Sequence, residues 1–154
     1  MVTTLIFPSE VVDLSFDAKA VGVKENISFS QILAAEAKFI QPVFGDIYTA
    51  MQQGELVDFT SDYIKPALAL CVKAMVLPFL GLVQGPLGLT QAAIYKDLEI
   101  DDDKITLLRS CIIEDANALI LRAVTYVKNN PQEFKDYKYA RKISASPFVG
   151  GIIF

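Results

Sequence analysis

The spacing of apolar positions predicts long helices separated by irregular segments. Apolar residues recur at helical spacing between Ser28, whose hydroxyl is suited to cap a helix, and Gly54, which ends it; Pro42 is expected to kink this first helix. A second helix is predicted to begin near residues 60–62, with a narrow polar stripe along one side. Residues 81–90 are rich in glycine and are expected to form a loop or a short extended segment.

A third helix is predicted from Lys104 to Lys128, directly after a run of acidic residues at 97–103. Negative charge near a helix N-terminus suits the helix dipole, so Asp102 or Asp103 is expected to cap this helix. Pro131 is expected to open a short fourth helix.

The predicted fold is therefore mainly all-α: a single-domain helical bundle of three longer helices plus a short fourth. At 154 residues the chain fits one domain, because a domain of this size buries about 70% of its unfolded surface. The chain 1–154 is expected to divide into an extended N-terminal arm (1–27), a helical core (28–140) and an extended C-terminal tail (141–154).

Residues 74–95 form a stretch without a charged side chain. A membrane-spanning helix needs about 20 predominantly apolar residues, and Pro78, Gly81 and Pro86 interrupt this stretch, so we predict no membrane span. The outer side of the second helix becomes apolar at Val76 and Leu80. We therefore expect another protein surface to cover the stretch.

The expected cover is a second copy of the chain, which makes the protein a homo-oligomer. The hydrophobic fraction of 53% is high for a solitary soluble protein and favours burial at subunit contacts. The hypothetical oligomer interface joins the charge-free stretch to the apolar tail and consists of Val76, Leu80, Val83, Leu87, Leu89, Phe148, Val149, Ile152 and Phe154.

Tests for catalytic or metal-binding motifs mostly fail. The chain contains no histidine, which excludes Ser-His-Asp and Cys-His catalysis and every histidine-containing metal site. The acidic run does not match an EF-hand, because Asp102 stands at the glycine position and Leu108 at the glutamate position. We predict no catalytic residue, no cofactor and no metal, and hence no enzyme. An enzyme that uses carboxylates alone is a third hypothesis for function.

Charge and cysteines restrict the partners and the compartment. The net charge of −4 argues against binding to nucleic acid through phosphate neutralisation, and no sequence-specific nucleic-acid binding is expected. Cys71 and Cys111 lie among apolar residues and are expected to be buried thiols in a reducing compartment. The first residues lack the basic and apolar regions of a secretory signal.

Two charged residues fall within the predicted apolar stripes, Glu36 in the first helix and Arg109 in the third. A lone buried charge costs several kcal/mol, so each needs a partner. We hypothesise a buried ion pair between Glu36 and Arg109 across the helix interface. The alternatives are that each side chain reaches water at a helix end, or that Glu36 is a general base.

A resemblance to a known family adds to this picture. The run from Ala34 to Tyr48, which ends in Gly-Asp-Ile-Tyr, is followed by Asp62–Ala69 and later by an Asn-Asn-Pro element at 129–137. This order resembles the small head–tail connector proteins (adaptor or head-completion proteins) of tailed bacteriophages and prophages, including Bacteroides-type prophages, over roughly residues 28–140.

The resemblance implies a non-catalytic structural protein of virion assembly that forms a ring between portal and tail, around a channel for DNA. Its partners would be further copies of itself and the portal and tail proteins. Its location would be the cytoplasm of the bacterial host and the virion. The alternative function is that of a small helical binding module with an apolar groove for a ligand or a partner protein.

Overall fold

A computed structural model of the protein describes residues 3–16, 23–79, 82–85, 88–91 and 102–139. Apart from one hairpin, the described secondary structure is helical, which confirms the predicted all-α class. The elements in chain order are α1 (Pro8–Ser15), a 3-10 turn (Lys24–Asn26), α2 (Phe29–Ala35), a π-helical turn (Glu36–Ile40), α3 (Gln41–Phe44), α4 (Asp46–Gln52), α5 (Val57–Phe59), a second π-helical turn (Thr60–Ile64), α6 (Lys65–Val76), a 3-10 turn (Leu77–Phe79), β1 (Leu82–Gly85), β2 (Gly88–Gln91) and α7 (Asp102–Asn129).

Ser28 caps α2, as predicted. The Gln31 backbone N–H donates to the Ser28 hydroxyl oxygen at 3.2 Å, and the Ser28 N–H donates to the Gln31 side-chain oxygen at 2.9 Å. These reciprocal bonds satisfy backbone groups that the first helical turn leaves without a partner.

Two prolines widen their helices instead of ending them. Pro42 and Pro66 stand at the second positions of α3 and α6, and a π-helical turn precedes each of these helices. Proline has no N–H to donate and its ring crowds the preceding turn, so the wider turn lets the chain continue in a helical direction. At Pro42, where the sequence predicts a kink, the structure has this π-helical turn directly before α3.

Gly45 breaks the first predicted helix between α3 and α4. Its φ of +50° is a conformation that side chains disfavour, and a Cβ there would lie 2.5 Å from the Lys138 carbonyl oxygen. The same carbonyl accepts the Asp46 N–H at 2.8 Å, and the Lys138 N–H donates to the Asp46 carboxylate at 3.1 Å. The close approach therefore requires glycine.

The predicted extended N-terminal arm is wrong, because residues 8–15 form helix α1, packed on α6. Lys65 pairs with Glu10 at 2.6 Å, and the Lys73 ammonium donates to the Ser15 carbonyl at 2.7 Å. With only eight residues, α1 is too short for its sequence to show a sustained helical period.

Helix α6 is the centre of the fold, with α1, α2 and α7 all packed against it. Most of its side chains are buried: Ala67, Leu68, Ala69, Cys71, Val72, Ala74 and Val76. On α7 the predicted inward stripe is also buried at Ile112, Ala116, Ile120, Ala123 and Val127. Apart from Ala74 and Ile112, these residues belong to one apolar core that extends from Leu5 to Phe134.

The predicted short fourth helix is wrong, since residues 131–136 form consecutive turns. Bonds from the Glu133 N–H to the Asn130 carbonyl and from the Tyr137 N–H to the Phe134 carbonyl mark these turns. Phe134 is buried and contacts the Phe59 ring edge-on at 5.1 Å. Packing of this one ring holds the segment on the core without a continuous helix.

The glycine-rich loop contains an antiparallel hairpin. Strand β1 pairs with β2 so that Leu82 lies opposite Gln91 and Gly85 opposite Gly88. Two residues connect the strands, the shortest common hairpin loop. A short extended segment was one of the two structures predicted here.

Candidate functional site

The predicted ion pair between Glu36 and Arg109 is wrong. Glu36 is fully buried, with 0% of its surface exposed, and its carboxylate accepts hydrogen bonds from the Leu5 N–H at 2.6 Å and the Tyr48 hydroxyl at 2.9 Å. Arg109 is exposed on α7. The N-terminal segment supplies the donors for Glu36 because it folds back onto the helices.

The surroundings of Glu36 indicate a structural role for this residue. Burial raises the pKa of its carboxyl above the ordinary value, although the Leu5 N–H and the Tyr48 hydroxyl favour the charged form. Burial and the neighbouring carboxylate also raise the pKa of the Tyr48 hydroxyl, and the Gln52 amide donates to its oxygen at 2.8 Å. A fully covered carboxylate cannot meet a substrate, so the network anchors the N-terminal segment to the core.

The two cysteines differ in exposure. Cys71 is buried in α6, as predicted, and burial raises the pKa of its thiol. Cys111 is exposed, so the prediction of burial is wrong for this residue. Its apolar neighbours in the sequence, Ile112 and Ile113, face the core, whereas Cys111 itself lies on the outward side of α7.

The predicted oligomer interface is wrong at its first residue and untested at the others. Val76 is 1% exposed and belongs to the chain's own core. Val83 and Leu89 lie on β1 and β2, where only the backbone is described. The remaining residues of the hypothesis lie outside the described part of the chain: Leu80, Leu87, Phe148, Val149, Ile152 and Phe154.

The structure reveals a different surface that carries exposed leucines, along the face of α7 that points away from the core. We call it the outward stripe. Leu107 is 67% exposed and Leu121 39%, values far above those of core leucines. The exposed positions of the stripe are Leu107, Cys111, Glu114, Ala118 and Leu121.

The spacing of the outward stripe is that of a helix-packing surface. Its positions follow each other at alternating steps of four and three residues, which is the heptad pattern of helices that pack side by side. The buried residues Ile112, Ala116 and Ile120 occupy the opposite face. Helix α7 therefore has one apolar face inside the protein and a mixed face outside, on which Leu107 and Leu121 stand at either end and the charged Glu114 lies between them.

This second face has a signal in the sequence. Leu107 and Leu121 do not fit the inward stripe, which is defined by residues such as Ile112 and Ala116. Large apolar residues on both sides of a helix indicate two packing partners. The inward stripe alone accounts for only one of them.

A smaller apolar patch lies near the N-terminus. Phe7 and Phe29 are 57% and 51% exposed, and their rings meet edge to face at 6.5 Å between centroids. Because the two aromatic rings already contact each other, the patch consists of a single pair. It is less extensive than the outward stripe.

An aromatic stack fixes α7 at its C-terminal half. Tyr126 stacks on Tyr63 at 4.4 Å, and the Arg122 guanidinium lies 4.5 Å from the centroid of the Tyr63 ring. Phe59 stacks on both tyrosine rings at 5.7 Å. These contacts hold the helix firmly enough to present its outward face in one orientation.

Within residues 3–16, 23–79 and 103–139, no three His, Cys, Asp or Glu side chains come together to hold a metal ion. In the part of the chain that the structure describes, no helix has both the length and the hydropathy of a membrane span.

Comparisons with known proteins give one finding. Residues 27–146 match the family of unknown function (DUF6712). Neither the curated proteins nor the solved structures yielded a match. The matched range begins just before α2 and contains the helices α2 to α7.

Proposed function

The chain belongs to the DUF6712 family of unknown function, and from its surface we propose that it is a non-catalytic structural subunit that associates with copies of itself. The more specific form of this proposal is a head–tail connector of a phage or prophage, which forms a ring between the portal and the tail. Its partners would then be the portal and tail proteins.

The outward stripe of α7 is the observation that carries the proposal. Leu107 and Leu121 are exposed on a long helix whose other side packs against α6. Scattered apolar residues on a surface need no explanation, but leucines in register on one helix face at heptad spacing are typical of a face that packs against another helix, where a charged residue such as Glu114 can lie between the apolar contacts. A subunit of a larger assembly has such a face.

The resemblance to connector proteins supports the more specific form. The Gly-Asp-Ile-Tyr motif on which it rests holds the core together here. Gly45 and Asp46 contact Lys138, and Tyr48 donates to Glu36. The motif that carries the resemblance therefore has a structural role in this chain and is not a feature of its surface alone.

Light scattering coupled to size-exclusion chromatography tests self-association. We expect the wild-type mass to rise with concentration, and the double variant Leu107→Asp, Leu121→Asp to remain monomeric, with a dissociation constant raised at least about tenfold. Leu14→Asp is the control, because Leu14 is also exposed, at 47%, but lies on α1. A wild-type chain that stays monomeric at all concentrations would contradict the proposal.

The genes beside the one for this chain test the connector assignment separately. Portal, capsid and tail genes on either side would support it. A neighbourhood without them would remove the connector assignment and leave self-association standing.

A further inference from the structure

We propose that the β1–β2 hairpin joins copies of this chain by backbone hydrogen bonds, the outer edge of β1 in one copy pairing with the outer edge of β2 in the next. This inference rests on the proposed self-association and adds a second contact to that of the outward stripe. It concerns only the backbone of residues 82–85 and 88–91 and their sequence.

The register decides which backbone groups face outward. Gly85 and Gly88 flank a two-residue connection, and residues in that position exchange hydrogen bonds with each other. Bonded and non-bonded pairs alternate along an antiparallel ladder, so Val83 and Thr90 form the next bonded pair. The N–H and C=O groups of the remaining residues therefore face the outer edges, those of Leu82 and Gln84 on β1 and those of Leu89 and Gln91 on β2.

Neither strand carries the features that usually protect a sheet edge. Proteins block exposed edges with charged side chains, especially lysine, with proline or with a bulge. Residues 82–85 and 88–91 contain no charged residue and no proline, and their pairing has no bulge. The described part of the chain supplies no third strand.

A two-stranded sheet also needs a further contact to be stable. An isolated hairpin is marginally stable in water, and three or more strands or a packed helix are needed to hold it. Strands added at its edges would supply backbone hydrogen bonds and extend the sheet. Within the described residues neither outer edge of the hairpin is paired, and an added strand would stabilise it.

A second copy of the same hairpin is the partner that fits both edges. Both strands have four residues, so the β1 edge of one copy matches the β2 edge of another in length. Each chain then contacts two neighbours through different surfaces, which is a head-to-tail arrangement. Such contacts close into a ring when the rotation between copies permits it, and no edge then remains unpaired.

Variants of the outward-facing positions test the pairing in the full-length chain. Gln84→Pro removes an outward N–H but no bond within the hairpin, and Gln84→Lys with Gln91→Lys adds charge at both edges. We expect each variant to raise the dissociation constant at least about tenfold. Gln53→Lys with Gln132→Lys is the matched control, because both of these glutamines are exposed and lie in turns.

Hydrogen exchange resolved to single residues gives a second measurement. In the wild-type oligomer the amides of Gln84 and Leu89 should exchange at least about tenfold more slowly than in the dilute monomer, while those of Val83 and Thr90 change less. Equal exchange of the outward amides in both states would overturn the inference. Protection of one edge only, together with residues 146–154, would overturn it in favour of the C-terminal segment as the added strand.

The two proposals fail in different ways. If the Gln84 variants associate like the wild type while Leu107→Asp with Leu121→Asp does not, self-association stands and edge pairing is wrong. If the wild type never associates, both proposals are wrong.

Discussion

At the scale of single residues, Gly45 and Glu36 show how two segments distant in sequence are joined to the helices. Gly45 admits the Lys138 carbonyl beside α4, and Glu36 receives the Leu5 N–H beside α2. The first contact depends on the missing Cβ of Gly45, and the second depends on the carboxylate of Glu36. Substitutions at these two positions should therefore have larger effects than the same substitutions at comparable positions elsewhere in the chain.

Gly45→Ala should lower the free energy of unfolding by about 3 kcal/mol or more, because the new Cβ meets the Lys138 carbonyl and the backbone conformation is strained. Gly54→Ala is the control: its φ is +84°, but a Cβ there meets nothing within 4 Å. The control should cost about 1 kcal/mol. Urea denaturation of both variants gives the comparison, and equal losses would contradict the role of the close contact.

Glu36→Gln should change how stability depends on pH. Folding raises the pKa of Glu36 above its ordinary 4.5. Between the unfolded and the folded pKa the folded state therefore binds more protons than the unfolded state, and the stability that this carboxyl contributes falls as pH rises. The free energy of unfolding of the wild type minus that of Glu36→Gln should therefore increase as pH is lowered from neutrality towards about 4.5. Urea denaturation over this range measures it.

Glu10→Gln provides a control of opposite sign. Partial burial alone would raise the pKa of Glu10, but the hydrogen bonds from Lys65 and the Phe7 N–H lower it overall. The stability that ionised Glu10 contributes is thus present above its unfolded pKa and is lost as pH falls. If the two variants changed with pH in the same direction, the account of Glu36 would be wrong.

At the scale of elements, α1 and α6 show what periodicity can and cannot predict. Helix α1 is shorter than the window in which a helical period can be recognised. Helix α6 is apolar on nearly all sides, so its sequence could not indicate that Val76 faces inward. By contrast, α2 has a recognisable capping signal at Ser28, and the inward stripe of α7 is amphipathic enough to be assigned correctly.

Val11→Ala should test whether α1 is part of the folded core. Val11 is fully buried and its neighbour Val12 is only partly so. Val11→Ala should lower the free energy of unfolding by about 2 kcal/mol and Val12→Ala by less than about 1 kcal/mol. Chemical denaturation distinguishes them, and a negligible loss for Val11→Ala would mean that α1 does not contribute to the stability of the core.

At the scale of the whole molecule, the sequence identified the fold class but not the surfaces. The all-α class followed from long periodic segments, whereas the partner of Glu36 required knowing that the N-terminal segment returns to the core. Exposure of the outward stripe depends on which face of α7 meets α6, a fact of packing that no single helix encodes. The candidate interface predicted at Val76 is wrong because the packing around α6, and not the sequence of α6, decides which of its apolar sides is buried.

Val76→Asp and Leu107→Asp should show which of the two residues lies in the core and which lies on the surface. A carboxylate at Val76, which is 1% exposed, should unfold the chain or destabilise it by more than about 3 kcal/mol. The same substitution at Leu107, which is 67% exposed, should change the free energy of unfolding by less than about 0.5 kcal/mol. Circular dichroism and thermal melts of the two variants measure this, and a melt of Leu107→Asp like that of Val76→Asp would place Leu107 in the core.

The pair of hydrogen bonds between Asp46 and Lys138, here called the clasp, has a geometric consequence for assembly. It fixes residue 138 against the start of α4, so the rest of the chain is attached to the protein at a defined point. An extended chain spans about 3.4 Å per residue, which limits residue 154 to a sphere of about 55 Å radius around that anchor. Any neighbour that residues 148–154 could touch must enter this sphere, and breaking the clasp would enlarge the sphere without altering the sequence of those residues.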